Sequence, residues 1–454
     1  MIIPKSMPKI KRFFHPIRPR PVVLAYLTRL MAGFIDHRGR MSAGAAAGAV
    51  ASLSCHRAGV GRFLDRFHHG MRDFRQRLSD RLLEAVGNAA GWYVLILDAT
   101  DVSQQGERTE NTFHTGNRKR HPAKGRRYSN RRLARKSCHR HVMGLLLTPS
   151  GTRIPYYEPY YTREYAKAKG LPFRTQADLG ALIVERAKVP AGARVVVVGD
   201  TAYESEQVRR ACRQRGFKWI LPANSERVFA GDKNRPQVWS LVKSLQGNRY
   251  VELRLDSDKA MLATQRRMSA CRRGPKQKYP TFYVHQERRC VHSIGDVQLV
   301  VSTKSKPKAD QPVPRDQVKI LLTNDLDLSV EEIVALYALR WQIELFFKEL
   351  KSHLGIHQYR FRRFRRVEAW VDVCLITFMY LEWIRRDRLK RATSTADRKR
   401  WQSQRTYGMA SAVRQHVAET ELVEIHRCTK TSYGVRKLRK LLRAALPPEY
   451  RQSV

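Results

Sequence analysis

Acidic residues are scarce in this chain. Over 454 residues, 40 Asp and Glu stand against 87 Lys and Arg, a formal net charge of +47. The excess is spread along the sequence instead of being collected in one tail. Self-repulsion of that size is tolerated mainly by a protein that meets a polyanion, and each phosphate neutralised releases counterions. Nucleic acid is therefore the first partner class implied, with an anionic membrane surface well behind it. Cysteine is sparse too: seven residues, scattered and without a CxxC pair, which excludes a disulfide framework or a Cys/His zinc site and implies a reducing cytosol. Long apolar runs are also missing. The best candidate, "VCLITFMYLEWI" after Asp372, is too short for a bilayer and bounded by charge, so it reads as a buried helix. The opening "MIIPKSMPKIKRFFHPIRPR" has no apolar stretch behind its charges, so no secretory signal is expected. No internal repeat is found.

What remains is globular, and its length suits two to four domains. Residues 1–90 have helical spacing: "PVVLAYLTRLMAGFIDHRG", then "AGAAAGAVASL" with Ser42 placed as its cap, then one or two amphipathic helices with basic faces. Such short basic helices suit DNA binding of a helix-turn-helix kind, or equally a plain bundle. At Trp92 the pattern changes. "WYVLILDATDVS" is an apolar run ending in acids, as in a strand buried on both faces, and two more strands follow in "HVMGLLLTPSG" and "TRIPYYEPYY". Helix "QADLGALIVERAKV", strand "RVVVVGDTAY", helix "ESEQVRRACRQRG" and strand "FKWILPA" complete a mixed α/β sheet with helices on its faces. Residues 229–328 turn to β-structure, with "YVELRLD", "TFYVHQE", "VHSIGDVQLVVSTK" and "DQVKILLTND".

Chemistry enters through acids. Asp98 in "LILDATD" and Asp200 in "VVVVGDTAY" each leave an apolar strand, the place where α/β sheets put their sites. Either one alone is equally an acid capping the next turn. The third acid lies in "YALRWQIELFFKELKSHLG", read as one helix from Tyr337 to Gly355. At about 100° per residue, Tyr337, Arg340, Glu344, Lys348 and Lys351 fall within an arc of about 80°, beside an apolar face that anchors the helix. An ordinary Arg340–Glu344 pair on a solvated face would be worth a few tenths of a kcal/mol. Taken with Asp98 and Asp200, however, Glu344 completes a set of hard oxygen donors suited to Mg²⁺ or Mn²⁺. Two such ions serve in-line displacement at a phosphodiester.

These residues resemble the Asp-Asp-Glu triad of DDE transposases, most closely the bacterial insertion-sequence group whose last catalytic helix carries Tyr-x2-Arg-x3-Glu-x6-Lys, here Tyr337, Arg340, Glu344 and Lys351. The resemblance covers roughly residues 20–390. It implies a ribonuclease-H-like mixed sheet flanked by helices, interrupted by a β-rich insertion, with helical N- and C-terminal regions. The expected division is a helical DNA-binding domain at 1–90, the first part of the core at 91–228, the insertion at 229–328, the last part of the core at 329–390 and a C-terminal helical region at 391–454 that supplies dimer contacts. It also implies Asp98, Asp200 and Glu344 as catalytic residues and ligands of two divalent cations, Mg²⁺ or Mn²⁺. Tyr337, Arg340, Lys348 and Lys351 would bind DNA. The expected partners are double-stranded DNA (terminal inverted repeats and target) and a second copy of the chain, with no membrane, in the bacterial cytoplasm at the nucleoid.

Other segments carry weaker signals. The basic stretch "NRKRHPAKGRRYSNRRLARKSCHR", with Tyr128 and His114 nearby, and "YRFRRFRR" at Tyr359–Arg366 read as grips on the DNA backbone. Trp239 reads as a core residue before it reads as a platform for a flipped base. His357, Arg360 and Tyr380 superficially match a tyrosine recombinase, but Tyr380 lies in an apolar stretch and that reading leaves Asp98 and Asp200 idle. A non-catalytic DNA- or RNA-binding protein on a degenerate nuclease scaffold is the alternative from another class.

Overall fold

The computed structural model describes residues 6–36, 42–48, 57–87, 90–104, 109–115, 136–224, 226–231, 236–255, 281–391, 393–394 and 429–445. The basic stretch from 117 to 135 and most of the region after 391 lie outside them, so the expectations placed there stay with the sequence. Two compact units divide the chain. One comprises 1–82, 104–110 and 347–454, the other 83–103 and 111–346.

The second unit is built on one sheet. Its strands are β1 (Trp92–Gln104), β2 (Phe113–Thr115), β3 (Lys136–Leu147), β4 (Arg153–Pro159), β5 (Arg194–Gly199), β6 (Lys218–Pro222), β7 (Val251–Arg254), β8 (Thr281–Val291), β9 (Gly295–Thr303) and β10 (Val318–Thr323). They run in the order β2-β3-β1-β5-β6-β10-β9-β8-β7, with β4 also paired to β3. β5 lies parallel to both β1 and β6, while β10 returns antiparallel to β6. The strands expected of the insertion therefore continue the same sheet from β6 outward. Val195 to Val198 of β5 are all buried, as a β-branched run in a strand covered on both faces requires. The stretch "VHSIGDVQLVVSTK", expected as one strand, is instead the end of β8, a tight turn with Ser293 and Gly295 at positive φ, and β9. The Ser-Ile-Gly turn chemistry was readable there.

Helices are anchored by their caps. α5 (Arg163–Lys169) is opened by Thr162, whose hydroxyl accepts from the Tyr165 amide, and is closed by left-handed Gly170. These cap signals were visible in the sequence, yet the helix was not expected. α6 (Gln176–Arg186) starts with a Thr175/Asp178 capping box, and α7 (Glu206–Gln214) with Ser205. α8 (Ser240–Ser244) is a single short turn. α9 (Val330–Ala338) opens on a Ser329/Glu332 capping box.

The helix expected over 337–355 is two helices: α9 ends at Ala338 and α10 spans Trp341–Ser352. Between them the amides of Leu339, Arg340, Gln342 and Ile343 bond to carbonyls three residues back. This tighter winding turns the chain faster than an α-helix, so a uniform wheel drawn from Tyr337 does not carry across Arg340.

The first unit is helical: α1 (Ser6–Phe14), α2 (Pro21–Asp36), α3 (Ala43–Gly48), α4 (Arg57–Val86), α11 (Phe364–Arg391) and α12 (Ser432–Ala445). The Ser42 hydroxyl accepts from the Ala45 amide, as a cap should. The apolar stretch around Leu375 is the buried heart of α11, with Trp370, Cys374, Phe378 and Met379 fully covered. Phe34 packs on Trp370 and Phe13 on Tyr380. Among the described residues no helix is long and apolar enough to cross a membrane.

Candidate active site

β1 and β5 lie side by side with Leu97 opposite Gly199, so the next residue on each chain is an aspartate. β1 does not end there: it runs on to Gln104, and what stops at Asp98 is its pairing with β5. The two acids thus project where two neighbouring parallel strands part, which is where a sheet opens a crevice. Each also makes a local bond. Asp98 accepts from its neighbour's amide, Ala99 N, at 2.8 Å, and Asp200 from Ala202 N at 3.0 Å, capping the turn Thr201–Tyr203. The turn is pinned by Tyr203, which is fully buried. A side chain at Gly180 would stand 2.6 Å from its ring, so that glycine lets α6 close over the loop bearing Asp200.

The α9–α10 joint supplies the rest. Arg340 donates through Nη2 to Glu344 Oε1 at 2.7 Å and through Nη1 toward Asp98 Oδ2 at 3.5 Å. Tyr337, 9% exposed, donates its hydroxyl to the Gly199 carbonyl at 3.4 Å, just before Asp200. It accepts from Lys319 Nζ at 3.4 Å, and that ammonium sits 5.0 Å from the centre of the phenol ring. The tightened joint thus brings Tyr337, Arg340 and Glu344 to the two strand-borne aspartates. Lys348 and Lys351 follow on α10 past Phe346, on the stretch that belongs to the helical unit.

The electrostatics are those of a crowded anionic site. Burial pushes Asp98 up to about 6, and the charges of Asp200 and Glu344 add to this against the Ala99 amide and Arg340. Asp200 is also raised by burial, with Arg340 and Lys319 pulling the other way. Burial lifts Tyr337 to about 12. Lys319 is an exposed residue whose ammonium is tucked over Tyr337; that desolvation lowers its pKa, and the charges of Arg340 and Lys304 lower it further. Lys319 was missed in the sequence, although a single lysine within the apolar strand "VKILLT" was a usable signal.

A buried carboxylate raised by neighbouring acids, as Asp98 is, suits a hard divalent cation, and oxygen donors favour Mg²⁺ or Mn²⁺ over zinc. Among the described residues, however, no group of three or more His, Cys, Asp or Glu is close enough together to hold a metal ion. The donors fit such an ion in kind but are not gathered around one point, Glu344 being bonded to Arg340.

The remaining signals resolve differently. Arg363, Arg365 and Arg366 of "YRFRRFRR" all converge on Asp65, at 3.9, 2.8 and 2.5 Å. Trp239 is half-buried, with the Arg315 guanidinium 4.7 Å from its ring centre. Tyr380 is 2% exposed and packs on Phe13 and Trp383. A nucleophilic tyrosine needs access to a phosphate, so the recombinase reading loses its nucleophile.

Residues 176–380 match the family model for the transposase DDE domain. That stretch contains Asp200, Lys319, Tyr337, Arg340 and Glu344 and begins after Asp98. Among curated proteins none matches the chain.

Proposed function

We propose that the chain is a DDE transposase of the bacterial insertion-sequence kind, which cuts DNA at the terminal inverted repeats of its own element and joins the freed 3′-hydroxyls to target DNA. The observation that carries this reading is the convergence of Asp98 and Glu344 on the single guanidinium of Arg340, whose charge also reaches Asp200, in a largely desolvated site. The transposase-domain match and the charge of +47 support it.

Asp98, Asp200 and Glu344 would hold two divalent cations, Mg²⁺ or Mn²⁺, which when bound activate the attacking oxygen and stabilise the leaving one. Around them the chain's own groups position the substrate. Arg340, released from Glu344, presents a planar fork to the phosphate whose charge grows in the transition state. Lys348 and Lys351 hold the flanking backbone. Tyr337 has its hydroxyl engaged by Gly199 and Lys319, so its part in phosphate binding runs through the position of Lys319. Bringing two DNA ends together calls for a homodimer, and the place of work would be the bacterial nucleoid.

One observation favours a second reading, a DNA- or RNA-binding protein on a degenerate nuclease scaffold: the three carboxylates are not gathered into a metal-holding group. Glu344→Gln separates the two. Duplexes taken from the DNA flanking the coding sequence are incubated in Mg²⁺, with cleavage read on denaturing gels and binding by anisotropy. Metal ions contribute several kcal/mol of transition-state stabilisation, so cleavage should fall by about a thousandfold or more while binding changes little. Cleavage by the variant at the wild-type rate removes Glu344 from the triad. A wild-type chain that binds ends and never cuts them in Mg²⁺ or Mn²⁺ establishes the binding-protein reading instead.

A further inference from the structure

Lys319 stands apart from the other charged groups of the sheet unit. It lies on β10, contributed by the segment that prolongs the sheet, and its side chain is exposed between buried Val318 and Ile320. An ammonium has three donors. Among the described residues its one hydrogen bond goes to a neutral phenol, Tyr337, and it makes no ion pair. Basic residues that stabilise this unit are placed differently: Arg209 and Arg227 share the buried Glu204, and Arg140 meets Asp101 at 2.8 Å. Lys319 is instead set in the field of two further cations, Arg340 and Lys304, and feels Asp200 and Glu344 only at a distance. An ammonium beside other cations and with no carboxylate in bonding contact, as Lys319 is among the described residues, costs stability unless an anion joins it.

We propose that Lys319 binds a backbone phosphate of the DNA strand lying in the site, next to the phosphate undergoing transfer. The proposal rests on the transposase reading for the identity of that DNA. Tyr337 sets the ammonium's position: its ring lies beneath Nζ, and its hydroxyl is anchored on the Gly199 carbonyl, one residue from Asp200. The phosphate grip and the second aspartate are thereby registered to one strand end. β10 thus contributes a side chain to the site, in addition to prolonging the sheet.

The test compares the wild type, Lys319→Gln and Lys319→Arg in the full-length chain. The dissociation constant of a fluorescent duplex from the flanking DNA is measured in EDTA from 50 to 300 mM salt, with thermal unfolding of each variant as the control. Loss of one phosphate contact lowers the slope of log affinity against log salt by about 0.9, so the weakening is largest at 50 mM and shrinks about fivefold by 300 mM. Lys319→Gln should do this while its melting temperature stays within about 1 °C, and Lys319→Arg should restore the slope. Single-turnover cleavage in Mg²⁺ by Lys319→Gln should show a raised half-saturation concentration and a maximal rate within about threefold of wild type. An unchanged salt slope overturns the proposal; a fall in melting temperature beside it would make Lys319 a tether for Tyr337. Because binding is read without metal, the two readings fail separately. A lowered slope in a chain that never cuts keeps Lys319 as a phosphate ligand and removes the transposase reading. Cutting with an unaltered slope does the reverse.

Discussion

Asp65 and Asp98 face opposite charge ratios. In the helical unit, Asp65 is met by three guanidiniums, Arg363, Arg365 and Arg366. Burial works to raise its pKa, but Arg366 and Arg365 outweigh this and hold it below the ordinary value. In the sheet unit, Asp98 and Glu344 share one guanidinium, that of Arg340, whose charge also acts with Lys319 on Asp200, and Asp98 rises to about 6. Other buried acids also meet a guanidinium, Asp372 bonding Arg75 at 2.7 Å and Glu382 bonding Arg385 at 2.6 Å, although burial still raises Asp372 above its ordinary value. In a chain with more than two basic residues per acid, leaving three carboxylates short of cations is the costly arrangement. A ligand that brings positive charge of its own would relieve that cost.

The largest effect that would break this comparison is loss of a structural partner. Arg75 is 2% exposed and bonded to Asp372, itself 4% exposed. Arg75→Met should cost about 3–5 kcal/mol in urea unfolding, because it leaves a buried carboxylate unpaired. Arg75→Met combined with Asp372→Leu should recover most of that. If the single change is silent, the pair is not structural and the contrast with the site weakens.

Asp98→Asn should act in the opposite direction. A carboxyl whose folded pKa lies above its unfolded value favours folding when protonated, so its ionisation costs stability as pH rises from about 4 through 6. Relief of that cost is worth on the order of 3 kcal/mol at pH 7.5. The variant should therefore melt higher than wild type at pH 7.5 and alike near pH 4, and millimolar Mg²⁺ should raise the wild type more than the variant. Equal melting temperatures at both pH values would show that Asp98 is already matched in charge.

Asp65→Asn should give the smallest change, about 1 kcal/mol or less in the same unfolding assay, since its arginines reach solvent. If DNA also competes for those arginines, the variant should bind duplex more tightly, with a steeper salt slope.

Much of this was legible along the chain. Apolar runs announced β1, β5 and β6, and helical spacing announced α6 and α7, because burial imposes local residue choices; α9 was not expected, although its Ser329/Glu332 capping box stands in the sequence. Asp98 and Asp200 stood out at the margins of apolar strands and Glu344 beside an apolar helix face, although a turn cap such as Asp200 makes would by itself explain an acid there. The hairpin of β8 and β9 and the break at Arg340 were less visible, since one turns on two residues with positive φ and the other on hydrogen-bond spacing that a uniform wheel cannot register.

What the sequence determined by itself was composition and period: a basic chain, the buried strands, and acids set at their margins. Only the tertiary structure decided which charges meet. Pairing of Leu97 with Gly199 set the two aspartates abreast, and the tightened turn before Trp341 delivered Arg340 and Glu344 to them. β10, arriving about a hundred residues after β6, laid Lys319 over Tyr337. Contacts between residues so far apart in sequence depend on strand order and register, and no local pattern encodes those.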